Sequence, residues 1–223
     1  MDKEKDLEKK LKEKNQEMLM VREAATEKYN IDEELRRMRY LEYLKISETE
    51  RVEWLDGQIY YMAAPVLKHQ DLVLDLGVIF RIHLHGKTCK PFIAPCEVKI
   101  DFLNGSDSEL QPDVMVVCDP EKLDERGIKG PPDLIIEVLS PSTARYDRVN
   151  KFNKYLAVGV REYWIIDPLK EEILVNLLTD DKLNYLTQTY KKGDNVKVSV
   201  LDDLVINVTN LFEGYLVIED FKN

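Results

Sequence analysis

Residues 111–168 read QPDVMVVCDP EKLDERGIKG PPDLIIEVLS PSTARYDRVN KFNKYLAVGV REYWIIDP. The apolar runs VMVV, LIIEVL and YWII give the order strand, loop, strand, helix, strand, with Asp113 opening the first strand and Glu137 interrupting the second. A carboxylate inside a run such as DLIIEVL is expensive to desolvate unless something pairs with it or it reaches a wet edge. The segment between the second and third strands is basic, and its N-terminal Ser140-Pro141-Ser142-Thr143 reads as a helix cap.

Upstream, VEWLDGQIYYMA places Asp56-Gly57 between two apolar-rich arms, a hairpin signal. A helix over about residues 35–44 precedes it, and HQDLVLDLGVIFRIHLHG after it has helical spacing that ends at Gly86. EVKIDF then reads as a strand and LNGSDS as a polar loop. Downstream of Asp167-Pro168, EILVNLL, KLNYLTQTY and VKVSVL alternate as strands do, with KKGDN as a turn. The sum is an α/β fold, an α+β mixed sheet flanked by helices.

Residues 2–28 contain no Gly or Pro and alternate Lys with Glu. Leu7, Leu11, Met18, Val21 and Ala25 fit about three imperfect heptads, with Lys14 and Lys28 on the seam. This predicts a charged helical extension over 1–34 and the main domain over 35–223. Pairing of two copies through the extension makes a homodimer the expected assembly.

With 223 residues, 44% apolar and 33% charged, the chain has room for one globular core plus that appendage. Cys89, Cys96 and Cys118 form no CxxC pair, so they are expected as small, unpaired core residues of a protein in a reducing cytoplasm. The longest uncharged, mostly apolar run, Ile59 to Leu67, has nine residues, against the roughly 20 that a membrane-spanning helix needs. A net charge of -10 opposes extended contact with phosphates. Its distribution is uneven: residues 139–161 carry five bases (Arg145, Arg148, Lys151, Lys154 and Arg161) and one acid, Asp147. After Trp164 there are 11 acids and six bases.

Two carboxylates on adjacent strands can share a hard divalent cation such as Mg²⁺, which takes few protein ligands and leaves room for water and phosphate oxygens. A neighbouring lysine would add a compact positive charge. Lys151, 14 residues after Glu137, has the reach for that role.

These motifs resemble the PD-(D/E)xK nuclease superfamily and, within it, a restriction-endonuclease family abundant in cyanobacteria. The resemblance covers about residues 38–200, through RYLEYLKISETERVEWLDGQIYYMAAP, QPDVMVV, PPDLIIEVLSPST and DRVNKFNKYLAVGVREYWIIDP. It implies a restriction-endonuclease-like core and a Mg²⁺- or Mn²⁺-dependent endonuclease acting on DNA, with Asp113 and Glu137 as metal ligands. It also implies a migrated lysine, because the position two after Glu137 is Leu139; the family motif has its lysine at Lys151, and Lys154 is the second choice.

Glu53 and His69 match positions the family keeps, as a further metal ligand and as a proton shuttle or phosphate contact. A literal ExK also occurs at Glu97-Val98-Lys99, where alternation puts Glu97, Lys99 and Asp101 on one strand face. It precedes the Asp113 strand instead of following it, so Glu97 is an auxiliary candidate. Arg145 and Arg148 are the candidate nucleic-acid contacts. The alternative, kept open by Leu139, is a catalytically inactive module of the same fold that binds nucleic acid or a protein partner.

Overall fold

The computed structural model describes residues 16, 18–20, 32–100, 108–125, 127–201 and 203–214. The chain divides into two compact units, Met1–Glu50 and Arg51–Asn223. In the first, residues 32–46 form helix α1, and the anticipated boundary at 34/35 lies within it. The heptad-like stretch lies outside the described residues, apart from residues 16 and 18–20, which are helical.

In the second unit β1 (Val52–Leu55) pairs antiparallel with β2 (Gln58–Tyr61). Asp56 and Gly57 join them with φ of 49° and 84°, the left-handed pair that a tight two-residue hairpin needs. Helix α2 (Leu67–His83) follows, then β3 (Lys90–Ile93), β4 (Val98–Ile100), β5 (Ser108–Leu110) and β6 (Val114–Val117). The segment read as a loop after Cys118 holds more structure than its polar sequence suggests. A 3-10 turn, Pro120–Lys122, leads into the hairpin of β7 (Leu123–Asp124) and β8 (Gly127–Lys129).

The strand β9 (Leu134–Val138) is followed by a π-helical turn, Tyr146–Lys151, that runs into α3 (Phe152–Val158). Then come β10 (Glu162–Asp167), β11 (Glu172–Leu178), β12 (Tyr185–Lys191), β13 (Asn195–Lys197), β14 (Val205–Asn207) and α4 (Val208–Glu213).

Residues 111–168 supply the middle of a mixed sheet with order β12-β11-β10-β9-β6-β3. β9 and β10 run parallel through the α3 crossover, while the other neighbours are antiparallel. A second sheet has the order β2-β1-β5-β4-β8-β7, and β13 and β14 form a separate ladder.

Alternation along β9 sorts its side chains onto two cores. Leu134, Ile136 and Val138 pack with Leu76 and Phe80 of α2 and with Leu211 of α4. Ile135 and Leu139 pack on the other face with Tyr155 of α3, Tyr163, and Val98, Leu110 and Ile128 of the second sheet. Glu137 falls on this second face. Tyr163 and Trp164 are fully buried, each on its own side of β10.

The cysteines correct the expectation of unpaired thiols. Cys89 and Cys118 form a disulfide, while Cys96 stays free and half-buried. The antiparallel register that sets Lys90 opposite Val117 brings residue 89 across from residue 118, a proximity that a separation of 29 residues hides in the sequence. Among the described residues no helix is long and apolar enough to cross a membrane.

Candidate functional site

The β6–β9 register pairs Val114 with Ile136, so continuing it by one position sets Asp113 opposite Glu137. Two contacts fix the Asp113 carboxylate: Oδ2 accepts the Val138 backbone N–H at 2.8 Å and lies 3.1 Å from His69 Nε2. Glu137, only 2% exposed, accepts at Oε1 from Lys151 Nζ at 2.9 Å and from the Tyr155 hydroxyl at 3.0 Å. The other oxygens, Asp113 Oδ1 and Glu137 Oε2, accept no hydrogen bond from a described residue.

Glu53 arrives from the second sheet. Its Oε1 accepts the Gln111 backbone N–H at 2.7 Å, tying β1 to the segment that leads into Asp113, and also pairs with Lys151 Nζ at 3.0 Å. Its Oε2 is buried without a partner among the described residues.

Lys151 reaches this point from the helix because the chain after β9 is held firmly at its start. Ser140 and Thr143 exchange side-chain to backbone hydrogen bonds, each at 3.2 Å, in the reciprocal manner of a capping pair. The helix then opens into the π-turn, a feature that recurs at functional sites. Along it Thr143, Asp147, Lys151 and Tyr155 follow one another at intervals of four residues and face the sheet. Asp147 Oδ1 lies 3.8 Å from Lys151 Nζ.

The electrostatics are those of a crowded acidic pocket. Burial raises the Glu137 carboxyl well above the usual range; Lys151 pulls it down, while Asp113, Asp147 and Glu53 push it further up. Burial likewise raises Asp147, to about 6, against the pull of Lys151 and of a Thr143 hydrogen bond. For Lys151 burial alone would favour the neutral amine, but Glu137 and Glu53 outweigh it and hold the ammonium proton tightly. The buried carboxyls of Glu53, Glu137 and Asp147 thus share the Lys151 ammonium, and their crowding drives Glu137 and Asp147 toward the neutral acid.

Among the described residues no three or more His, Cys, Asp or Glu side chains converge as a complete metal cage. The set on offer is the pair Asp113 and Glu137, each with one oxygen open. That fits a hard cation which keeps most of its water and takes one or two carboxylates.

Asp113, Glu137, Lys151, Glu53 and His69 all line one cavity of about 590 Å³. The other candidates stand apart from it. Lys154 Nζ bonds Asp56 Oδ1 at the hairpin turn, 2.6 Å away. Glu97 sits beside Lys99, 3.9 Å away; burial and then Glu109 raise its carboxyl. Arg148 is bound to Asp167 at 3.0 Å, and Arg145 is exposed. Tyr155 and Tyr146, whose ring lies 5.4 Å from Lys151 Nζ, are members that the sequence reading did not single out, and Asp147 was noted there only as the one acid of the basic segment. The interval of four from Lys151 was the available signal for Asp147 and Tyr155.

This architecture has known counterparts. A crystal structure described as a "putative nuclease belonging to DUF820" from Anabaena variabilis matches with a TM-score of 0.62 at 20% identity, covering 75% of this chain and 92% of that one, which shows a shared fold. The uncharacterized protein slr1290 of Synechocystis sp. is 33% identical over 160 residues, 70% of this chain and 82% of its own. A second Synechocystis protein, sll1609, is 30% identical over 131 residues, 56% of this chain and 72% of its own. The model of the Uma2 family, described as "Putative restriction endonuclease", matches residues 33–209. On the strength of that match, the chain belongs to the Uma2 family.

Proposed function

We propose that this protein is a divalent-metal-dependent nuclease that hydrolyses phosphodiester bonds in DNA. Family membership supports a nuclease-type activity; metal, substrate and residue roles are our reading of the site. The observation that carries it is the buried Lys151 ammonium held at 2.9 Å from Glu137 and 3.0 Å from Glu53, on the strand face that Asp113 adjoins. Leu139 occupies the strand position two beyond Glu137 and packs in the apolar core, so the helix supplies the lysine instead.

Asp113 and Glu137 would hold Mg²⁺ or Mn²⁺ through their open oxygens. When bound, the cation supplies charge neutralisation at the phosphodiester and a means of activating water. Lys151 presents its ammonium to the phosphoryl oxygens as negative charge builds on them. Tyr155 fixes the Glu137 carboxylate through Oε1, and the Val138 N–H with His69 fixes that of Asp113. In this reading residues 35–223 form the nuclease domain, and 1–34 form a helical arm through which two copies pair.

One observation favours the alternative, an inactive module of the same fold that binds nucleic acid or a protein: Lys151 is 2% exposed and already engaged by carboxylates. Cleavage of plasmid and single-stranded DNA with Mg²⁺ or Mn²⁺ separates the two. The nuclease reading expects cutting by the wild type and none by folded Asp113→Ala, Glu137→Ala and Lys151→Ala proteins purified identically. A wild type that never cuts gives the binding module precedence, and cutting that persists in all three variants belongs to a contaminant.

A further inference from the structure

We infer that the cavity beside the carboxylates receives an unpaired nucleobase, which makes the substrate an unstacked or single-stranded segment of DNA and not a continuous duplex. The inference rests on the nuclease reading for its phosphodiester, but the base site stands on its own geometry.

The cavity has a mixed lining: the charged cluster of Glu53, Asp113, Glu137 and Lys151, apolar groups from the end of β2, from α2 and from the end of β3, and the polar Arg51, Gln70 and Asp71. Of the apolar groups, Tyr61, Leu74 and Ile93 are 68%, 59% and 42% exposed, so the cavity offers aromatic and aliphatic surface in the open. Tyr60 extends it inward, stacked on Tyr146 with ring centroids 4.3 Å apart. A volume of about 590 Å³ lies within the range typical of pockets that enclose small organic molecules.

A phosphate at Glu137 and Lys151 carries its sugar and base with it, and the neighbouring surface decides what that base does. In a duplex the bases remain stacked inside, and the protein meets phosphates and groove edges. An aromatic and aliphatic face gains nothing from those, whereas unpaired bases stack on such surfaces without regard to sequence.

The charge distribution points the same way. Duplex binding draws on many Lys and Arg contacts to phosphate, and this chain has a net charge of -10. In the basic segment Lys151 and Lys154 are buried in ion pairs and Arg148 binds Asp167, while Arg161 pairs with Asp133 at an exposed position and Arg145 is exposed. Phosphate contacts at the cavity fall to Lys151 and to the exposed Arg51 on its lining, too few to follow a duplex, and base contact in the same cavity adds affinity at the reacting position.

The test reads binding without cleavage. Three fluorescent DNA ligands of one sequence are titrated in EDTA: a single strand, the same strand with abasic residues at its centre, and the blunt duplex. The inference expects the intact single strand to bind at least about tenfold more tightly than either of the others. It expects Tyr61→Ala and Leu74→Gln, both at exposed positions, to remove that preference. Equal affinity for intact and abasic strands, tighter binding of the duplex, or no binding at all overturns it.

Cleavage of the same ligands with Mn²⁺ is then scored separately. Cutting of duplex without preference for single strands retains the nuclease and discards the base site. Base-dependent binding without cutting does the reverse.

Discussion

Lys151 and Glu137, 14 residues apart in the chain, meet at 2.9 Å with both side chains 3% exposed. A helix residue thereby neutralises a strand carboxylate inside a core that would otherwise expel it. Removing one partner of such a pair strands the other, and the loss is then about 3–5 kcal/mol, against less than about 1 kcal/mol for an ordinary surface pair. Lys151→Met should therefore lower the urea midpoint substantially. Adding Glu137→Gln to it should recover part of the loss, because the second change removes the stranded charge. A Lys151→Met protein within about 0.5 kcal/mol of wild type, the range of harmless surface changes, would show that the ammonium is not anchored as described.

Asp147 predicts a pH dependence of definite sign. Burial raises its carboxyl to about 6 in the folded protein, while an unfolded aspartate titrates near 3.9. Below both values the group is protonated in either state and has no effect. Between them the folded state holds a proton that the unfolded state has released, so stability falls as pH rises from about 4 to about 6, and then levels off. Asp147→Asn should flatten that part of the profile. Chemical denaturation at several pH values across the window checks this, and parallel profiles for the two proteins would refute it.

Much of this site is legible without coordinates, for reasons that also mark where reading stops. Asp56-Gly57 has one natural interpretation, because few other residue pairs supply two left-handed conformations in a row. Asp113 and Glu137 stand out because each is set in or beside an apolar strand. Lys151 and Lys154, however, are told apart in sequence only by the family motif; the helix turns the first toward Glu137 and the second toward Asp56. Asp147 and Tyr155 share the face of Lys151, but intervals of four also suit any amphipathic helix. Nothing in Tyr146–Lys151 announces a π-turn, since the segment has neither Gly nor Pro. The Cys89–Cys118 disulfide depends on β3 lying beside β6, a long-range pairing that local pattern does not encode. Glu97-Val98-Lys99 fits the textual motif better than Glu137 does, but β4 belongs to the other sheet, and Glu97 does not line the cavity.

Tyr155 provides a finer test of the Glu137 geometry. Its hydroxyl donates to Glu137 Oε1 at 3.0 Å from a fully buried position. Tyr155→Phe keeps the ring's packing and deletes that hydrogen bond alone. A hydrogen bond to a charged group contributes about 1.5–3 kcal/mol, so stability should fall by an amount of that order. Cleavage should weaken mainly in kcat if the hydroxyl orients the carboxylate during reaction, because binding of the rest of the DNA is untouched. An unchanged kcat would mean that Lys151 orients Glu137 without help from the phenol.

Metal binding should appear as stabilisation, independently of turnover. A ligand at 100 times its dissociation constant stabilises the folded state by about 2.7 kcal/mol. For a chain of this size that is a rise in Tm of roughly 5–10 °C, at about 2–4 °C per kcal/mol. Asp113→Asn should abolish the rise with Mg²⁺ or Mn²⁺, because it removes a ligand and leaves a donor facing the cation. Lys151→Met should keep the rise or enlarge it, since the ammonium that competes for Glu137 has gone while both ligands remain. The opposite responses of two variants in one cavity distinguish a metal held by Asp113 and Glu137 from weak ion binding over an acidic surface. Equal shifts in wild type and Asp113→Asn would place the bound metal elsewhere and remove the main support for metal-dependent chemistry at this site.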